Sequence, residues 1–496
     1  METFFSVYPL VAILVPIAGT IMILVCRHWP NIREFWTIAA SVIMFGVVFS
    51  MLPDVLAGCY PEIVMLDIAA GISLAFRVDT AGIIFGLSAS ALWIATSFYS
   101  IGYMRTLAEK KQTRYYSCFA LCLASAIGIA FAANLLTFVI FYEILTIATY
   151  PLVVHKETPA AISAGRKYLA YLLTGGLALI AAVALTYVYS GSLDFQAGGF
   201  LSHLPGDPNL MLLFALYLVG FGMKSALIPL HSWLPTAMIA PTPVSALLHA
   251  VAVVKAGVFG FVRMVGFVFG PQLFNDIGAW QILAIMAGIT IILSSLLAMY
   301  QDNLKRRLAY STIGHLSYII LGISLLSPEA WVGGLIHIVN HAMLKITLFF
   351  CAGAIYAKNH VENISEMDGI GKQMPITMGA FTLAAIGLVG IPPLSGFISK
   401  WFLGLGAVEI NLEIYMGVLL LSGLLNAGYF FPIIRRAFFV KSEKRAKMAE
   451  ASALMVVPLV ITVALALFLG LVPNGIFHFL DFARDTAMNV FNGVGR

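Results

Sequence analysis

The sequence has few charged residues. Only 10% of its 496 residues are Asp, Glu, Lys or Arg, whereas 61% are hydrophobic. A soluble domain carries about 25% charged residues. This composition therefore excludes a cytosolic enzyme, a disordered chain and a nucleic-acid-binding protein, and it predicts a polytopic helical membrane protein.

Cysteine is also scarce, and the sequence lacks the motifs that hold redox cofactors. The five cysteines include no CxxC pair, so no iron–sulfur or zinc motif is present. Glycine motifs for dinucleotides or phosphates are absent as well. We expect no cofactor and no metal in this chain, and no redox chemistry of its own. Any electron transfer would take place in partner subunits.

Long apolar runs are abundant. A helix needs about 20 apolar residues to cross a bilayer, and the sequence offers 14 such runs. We expect an all-α polytopic membrane protein with about 14 transmembrane helices. The predicted spans are residues 6–26, 36–52, 78–100, 115–131, 134–154, 166–190, 209–231, 243–266, 279–300, 308–326, 330–357, 375–403, 412–434 and 453–473.

The basic residues alternate between the two sides of these spans. Twenty of the 28 Lys and Arg residues lie in alternate loops, the most basic of which runs from Arg435 to Lys447 and includes Lys444. The opposite side has only Arg77, Arg263, Arg484 and Arg496. By the positive-inside rule, the basic loops are cytoplasmic and both termini lie on the non-cytoplasmic side of the cell membrane.

Five charged residues remain inside the predicted spans after those near the span ends are counted with the loops; the latter are Asp79, Arg166, Lys167, Arg263 and Glu413. The five inside the spans are Glu143, Lys224, Lys255, Lys345 and Lys400. Each costs about 2.5–3.5 kcal/mol at the bilayer centre on insertion scales, so such groups face a protein interior or water. One or two of the lysines are compatible with structural ion pairs or with snorkelling near span ends. The whole set favours a path for protons.

Histidines accompany the lysines. His337, His341 and Lys345 stand at positions i, i+4 and i+8 and therefore share one helix face. Histidine titrates near neutral pH, so this stripe is suited to passing protons between lysines. A haem-binding cytochrome is a competing interpretation of the two histidines, although haem ligands normally come from facing helices.

Two spans contain helix-breaking residues. Pro229 interrupts the seventh span, which carries Lys224, and Pro392 and Pro393 with Gly396 interrupt the twelfth, which carries Lys400. Interruptions in corresponding halves are typical of inverted-repeat transporters. We expect two inverted five-helix repeats, helices 4–8 and 9–13. The corresponding domains are residues 1–110, 115–266, 279–436 and 453–496, the last with an amphipathic C-terminal segment.

Five motifs together resemble a known family. They are FYEILTIATYPLVVH at 141–155, HSWLPTAMIAPTPVSALLHAVAVVKAGVFGFVR at 231–263, DNLKRRLAYSTIGHLSYI at 302–319, HIVNHAMLKITLFF at 337–350 and GIPPLSGFISKW at 390–401. In this order they resemble the antiporter-like subunits of Mrp-type sodium/proton antiporters, respiratory complex I and membrane-bound hydrogenases.

The resemblance implies roles for the buried charges. Glu143 and Lys224 resemble the family's glutamate–lysine pair on helices 5 and 7, and Lys255 its central lysine on helix 8. His337, His341 and Lys345 resemble the helix-11 relay. Lys400 resembles the helix-12 terminal lysine of the Mrp D subunits and of hydrogenase-linked relatives.

The implied function is cation/proton translocation in a multisubunit Mrp-type antiporter. The alternative is a proton-pumping subunit of a complex I-type oxidoreductase or a membrane-bound hydrogenase. Expected partners are other membrane subunits, protons, Na⁺ and the lipid bilayer, without nucleic acid. A self-sufficient transporter of a small substrate is a third alternative.

Overall fold

The computed structural model describes residues 2–204, 209–442, 445 and 447–493. In this part of the chain, 11 helices are long and apolar enough to cross a membrane. The protein is mostly helical and multi-pass, as predicted. The count of 14 spans, the two repeats and the domain limits stay predictions. Lys444 and residues 494–496, with Arg496, lie outside the described residues.

The described residues of the first half of the chain form eleven helices, of which the eighth carries Lys224 and the eleventh carries Lys255. They are α1 (Tyr8–Val25), α2 (Pro30–Ser50), α3 (Leu52–Leu56), α4 (Thr80–Thr106), α5 (Gln112–Ala130), α6 (Leu135–Val153), α7 (Pro159–Ser190), α8 (Asn209–Ser225), α9 (Trp233–Thr236), α10 (Thr242–Ala250) and α11 (Val253–Arg263). A π-helical turn, Met264–Phe269, extends α11.

The second half carries the remaining site residues. Its helices are α12 (Pro271–Asp276), α13 (Ala279–Met299), α14 (Leu304–Ser324), α15 (Pro328–Asn359), α16 (Ile370–Gln373), α17 (Pro375–Val389), α18 (Ser395–Glu409), α19 (Glu413–Phe439), α20 (Ala453–Leu471) and α21 (Phe479–Asn492).

Polar side chains cap several of the long helices. Asp79, Asn134, Thr158, Asn303 and Ser327 each accept a hydrogen bond from a backbone N–H in the first turn of the helix that follows. A cap of this kind satisfies one of the unpaired donors at a helix start and contributes about 1 kcal/mol. These residues therefore set where α4, α6, α7, α14 and α15 begin.

Two segments form the centre of the bundle. Thr242–Phe269 is buried throughout, and so are residues 330–355 of the helix Pro328–Asn359, whereas the other apolar segments keep part of their surface exposed. Lys255 lies on the first central segment, and His337, His341 and Lys345 lie on the second. The two segments therefore place these polar side chains among protein rather than lipid.

Both predicted interruptions are present. Helix α8 ends at Ser225, one residue after Lys224, and the Pro392–Pro393 segment separates α17 from α18. A third interruption was not predicted, because it contains neither Pro nor Gly. The predicted span 243–266 is divided at Val251 and Ala252, three residues before Lys255, into α10 and α11.

A small β-sheet is the part of the fold that the all-α prediction lacked. Strand β1 (Glu2–Phe5) pairs in parallel with β2 (Cys59–Ala69), which pairs antiparallel with β3 (Ile72–Arg77). The sheet directly precedes Asp79 and the start of α4. It therefore anchors one end of the bundle near the N-terminus.

Candidate functional site

The lysines predicted to lie in the membrane are enclosed by protein. Lys224, Lys255 and Lys345 are each at most 1% exposed, and Lys400 is half-buried. In the described part of the chain, no carboxylate lies within 4 Å of any of these four ammonium groups. Neutral groups surround them instead, so the interpretation as structural ion pairs does not account for the set.

Lys224 lies against an aromatic ring. Its Nζ is 3.3 Å from the centroid of the Tyr142 ring and donates a hydrogen bond to the Tyr142 carbonyl at 2.5 Å. The Tyr142 hydroxyl in turn donates to the Gly220 carbonyl at 2.9 Å, which ties α6 to α8. A cation over an aromatic face gains about 2 kcal/mol or more when both groups are desolvated.

Glu143 is next in sequence to Tyr142, but its carboxylate faces a different helix. A Cβ placed on Gly176 of α7 would lie 2.6 Å from the Glu143 carboxyl carbon, so only glycine leaves room for this side chain. The buried Oε1 has no hydrogen-bond partner among the described residues. The structure therefore holds the Glu143 carboxylate beside α7, and it forms no ion pair within 4 Å with the Lys224 ammonium group.

Lys255 meets the histidine stripe of the other central segment. Its Nζ lies 3.1 Å from His341 Nδ1. The His341 ring centroid is 5.6 Å from that of His315 and 6.0 Å from that of His337. Lys255 is thus brought to the edge of a cluster of three imidazoles.

His315 is a member of this cluster that the spacing argument missed. It lies on α14, and its Nδ1 is 3.2 Å from His337 Nε2. The other ring nitrogen of His337 is 2.7 Å from the Ser399 hydroxyl of α18. His315 stands in one of the five sequence motifs, but no helical periodicity relates it to the α15 stripe.

Lys345 joins the same cluster through a chain of polar side chains. Its ammonium group donates to Ser311 at 2.8 Å, and the Ser311 hydroxyl is 2.7 Å from the Tyr429 hydroxyl. Tyr429 donates to Asn426 Oδ1 at 2.8 Å, and Asn426 Nδ2 is 3.3 Å from His315 Nε2. Ser311, Tyr429 and Asn426 are uncharged, so the search for buried charges did not find them.

Lys400 binds the end of the interrupted helix. Its Nζ donates to the Leu388 and Val389 carbonyls at 2.8 Å each. These carbonyls belong to the last turn of α17, where the helix has no further N–H donors to offer. The Leu388 carbonyl also accepts from Asn426 Nδ2 at 3.3 Å, which links Lys400 to the polar chain.

The predicted site residues therefore fall into two groups. One group consists of Lys255, which α11 of the first half contributes, and of His337, His341, Lys345 and Lys400 from the second half. Glu143 and Lys224 lie apart, and no hydrogen bond among the described residues joins Lys224 to Lys255.

A buried ion pair was missed by the sequence analysis. Arg263, which the sequence analysis counts with the loops of the less basic side, is 1% exposed and pairs through two nitrogens with Asp79. Three phenylalanine rings, of Phe195, Phe259 and Phe267, lie within 5.0 Å of the Arg263 guanidinium carbon. The position of Arg263 near a span end favoured the loop assignment, whereas tertiary contacts decide its burial.

Comparison with protein families identifies the chain's relatives. The family model described as "NADH:quinone oxidoreductase/Mrp antiporter, TM" matches residues 132–426. The NADH-quinone oxidoreductase subunit N of Desulforudis audaxviator is 33% identical over 409 residues, which cover 78% of each chain.

Two further relatives are longer proteins. A probable K(+)/H(+) antiporter A/B subunit of Rhizobium meliloti is 31% identical over 488 residues, 93% of this chain and 47% of that protein. Hydrogenase-4 component B of Escherichia coli is 33% identical over 345 residues, 66% of this chain and 50% of that protein. The chain spans about half the length of both.

Solved structures share the fold. A chain of the archaeal membrane-bound sulfane sulfur reductase superposes with a TM-score of 0.88 at 24% identity, over 99% of both chains. A chain of the Mrp complex from Dietzia sp. DQ12-45-1b gives a TM-score of 0.83 at 20% identity, over 98% of this chain and 96% of that one. The family model and the 33%-identical relative show that the chain belongs to the NADH:quinone oxidoreductase/Mrp antiporter transmembrane family.

Proposed function

We propose that the chain is the cation/proton-translocating subunit of a multisubunit Mrp-type antiporter in the cell membrane. The observation that carries the proposal is the polar network formed by Lys255, the three histidines, Lys345 and Lys400 within the buried centre of the bundle. Burying so many polar groups has a large desolvation cost. Selection for stability alone would favour apolar residues in their place.

The network supports a stepwise proton path. Lys255 as the ammonium form can give a proton from Nζ to His341 Nδ1, because the two atoms are already at hydrogen-bond distance. The adjacent imidazoles of His315 and His337 can take it further towards Ser399 and Lys400. Lys345 shares the network through Ser311, Tyr429 and Asn426, so its charge can bias each step.

Glu143 and Lys224 would act as the switch at the other end. At an effective dielectric constant of about 20 and a separation of about 6 Å, the two charges attract by about 2.8 kcal/mol. Moving one charge through 100 mV is worth about 2.3 kcal/mol, so a change in this separation is sufficient to move a proton. Turning the Glu143 carboxylate from Gly176 towards Lys224 is the movement that we propose.

The partners and orientation follow the same proposal. Relatives and structural neighbours named as subunits of larger complexes support association with other membrane subunits. The alternating basic loops support cytoplasmic loops and non-cytoplasmic termini. Protons and Na⁺ are the proposed transported ions.

The alternative is a proton-pumping subunit of a complex I-type oxidoreductase or a membrane-bound hydrogenase. It is favoured by relatives of both kinds that match at identities similar to that of the antiporter relative. The two proposals differ in the energy source, since only the redox complexes would need an electron donor.

The test uses everted membrane vesicles from the native host, with and without the gene, and a fluorescent ΔpH probe. The antiporter proposal expects an imposed ΔpH to collapse on addition of Na⁺ in wild-type vesicles, and the collapse to slow by about tenfold or more with Lys255→Ala. Lys372→Ala, an exposed lysine of α16, is the control. A ΔpH that ignores Na⁺ but forms on addition of NADH or hydrogen, and is lost with the gene, would replace the antiporter by the alternative.

A further inference from the structure

The hydrogen bonds around His315 and His337 all run in one direction. The chain begins at Asn426, passes through the two imidazoles and ends at Ser399. A neutral imidazole has one nitrogen that donates and one that accepts, so fixing one nitrogen fixes the other. The direction of the whole chain is therefore decided by the groups at its two ends.

A backbone carbonyl fixes the first end. The Leu388 carbonyl can only accept hydrogen bonds, so the atom of the Asn426 side chain that faces it at 3.3 Å must be the NH₂ group. The Tyr429 hydroxyl donates to the Asn426 oxygen on the other side. The same NH₂ group lies 3.3 Å from His315 Nε2, which must therefore accept.

The contacts of Ser399, at the other end of the chain, are consistent with the same direction of hydrogen bonding. With Nε2 accepting, His315 carries its hydrogen on Nδ1 and donates to His337 Nε2. His337 then carries its hydrogen on Nδ1 and donates to the Ser399 oxygen. Ser399 is free to accept, because its own hydroxyl hydrogen points to the Gly396 carbonyl at 3.2 Å.

We propose that Asn426 is a positioning residue that holds His315 and His337 in the Nδ1–H tautomer. Its NH₂ group also occupies His315 Nε2, the nitrogen at which a proton would enter the pair. The tautomers follow from the hydrogen-bond contacts alone, whereas their role in proton transfer rests on the proposed function. Every bond of the pair points from Asn426 towards Ser399.

The resting tautomers set the direction of the first proton transfer through the pair. A proton that binds His315 Nε2 releases the Nδ1 hydrogen to His337 Nε2, and His337 then releases its Nδ1 hydrogen to the Ser399 oxygen. In the same step Ser399 gives up its own hydroxyl hydrogen to a water molecule beyond the pair. One proton enters and one is offered at the far end. Entry requires the Asn426 NH₂ group to turn away from His315. The transfer leaves both rings in the Nε2–H tautomer, so both must return to the Nδ1–H tautomer before another proton passes in the same direction.

The experiment reads the tautomers directly. The complex is purified from the native membrane with ¹⁵N-labelled histidine, and solid-state NMR distinguishes protonated from bare ring nitrogens. Difference spectra with His315→Gln and His337→Gln assign the two residues. We expect Nδ1 to be protonated and Nε2 bare at both positions in the wild type at pH 7.

Asn426→Asp is the decisive variant, because a carboxylate of the same shape can only accept. We expect the chain to reverse, so that both histidines become protonated at Nε2. Asn340→Asp is the matched control: Asn340 lies on α15 beside the same helices, but its amide donates to the Ser395 carbonyl. It should leave both tautomers unchanged. Asn426→Leu, which neither donates nor accepts, should give a mixture of tautomers and covers the case in which the Asp variant fails to fold.

A wild-type spectrum with Nε2 protonated at either histidine overturns the inference. So does an Asn426→Asp or Asn426→Leu spectrum identical to that of the wild type. Because the readout is spectroscopic, its result is separate from transport. Absence of ion transport with the expected tautomers would reject the proposed function alone, and transport with the wrong tautomers would reject only the role of Asn426.

Discussion

Lys255 and His341 connect the two central segments of the bundle: the ammonium nitrogen of one lies 3.1 Å from Nδ1 of the other. The other ring nitrogen of His341 has no hydrogen-bond partner among the described residues. His341 is thus a group that contacts one lysine and still has a free position for the next proton step.

Replacing His341 with Gln tests this relationship. Glutamine can still hydrogen-bond Lys255 but cannot carry a proton, so we expect cation/proton exchange to fall by about tenfold or more while the complex assembles normally. The measurement is ΔpH collapse in everted vesicles. His203→Gln, at an exposed histidine, is the control, and equal activity of both variants would contradict a proton-carrying role for His341.

Tyr429→Phe removes the hydroxyl that joins Ser311 to Asn426 and leaves every charged group in place. The hydroxyl is the one link between Ser311 and Asn426 in the described chain of contacts, so its loss separates Lys345 from the histidines. We expect slower exchange at unchanged protein levels. Tyr415→Phe, on the same helix but partly exposed, should behave as wild type. Wild-type exchange in Tyr429→Phe would mean that Lys345 does not act through this chain.

Gly176→Ala tests the position of Glu143. A methyl group at Gly176 would overlap the carboxylate and force it out of its present place, although no titratable group is altered. We expect altered exchange kinetics in the same vesicle assay. Gly379→Ala, where a Cβ meets open space, provides the control for adding a methyl group to a helix. If the two alanine variants behave alike, the place of Glu143 beside α7 has no functional role.

The Asp79–Arg263 pair predicts a characteristic pattern of stabilities. Removing one partner of a buried pair leaves the other unpaired and costs about 3–5 kcal/mol, whereas removing both is often neutral. We expect Arg263→Met to lower the thermal unfolding temperature in detergent more than Asp79→Asn combined with Arg263→Met. Asn retains the ability to cap α4 at this position. A double variant less stable than the single one would contradict the argument.

His155 gives a pH dependence at the end of α6, outside the apolar span. Burial and the neighbouring Arg114 lower its pKa from 6.5 to about 4. The folded state therefore holds this imidazole neutral, and the unfolded state takes up a proton first as the pH falls. Stability should decrease between pH 6.5 and pH 4 by up to about 1.4 kcal/mol per pH unit. The difference in unfolding temperature between wild type and His155→Asn should shrink across this range; a constant difference would contradict the lowered pKa.

Buried charge was the most informative signal in the sequence. An ionisable residue in a 20-residue apolar run has so high a cost that Lys224, Lys255, Lys345 and Lys400 could be selected from one sequence. Proline likewise marked the ends of α8 and α17 correctly. These signals are local, and each depends on a single residue type in a known environment.

The missed features depend on contacts between distant parts of the chain. Asn426 is 111 residues from His315, and nothing in its neighbourhood in the sequence separates it from an ordinary polar residue on a membrane helix. The break at Val251–Ala252 has no Pro or Gly to mark it, and Arg263 is paired across 184 residues. Packing decides all three.

The glycine at position 257 has a mechanical consequence. A Cβ there would lie 2.9 Å from the Lys224 carbonyl carbon, so α11 touches the backbone at the end of α8 with no side chain between them. Because the backbones of α8 and α11 are in direct contact there, a shift of one helix at Gly257 requires the other to move as well. We therefore expect a displacement of Lys224 beside Tyr142 to move α11 at Gly257, two residues from Lys255, although no hydrogen bond joins the two lysines.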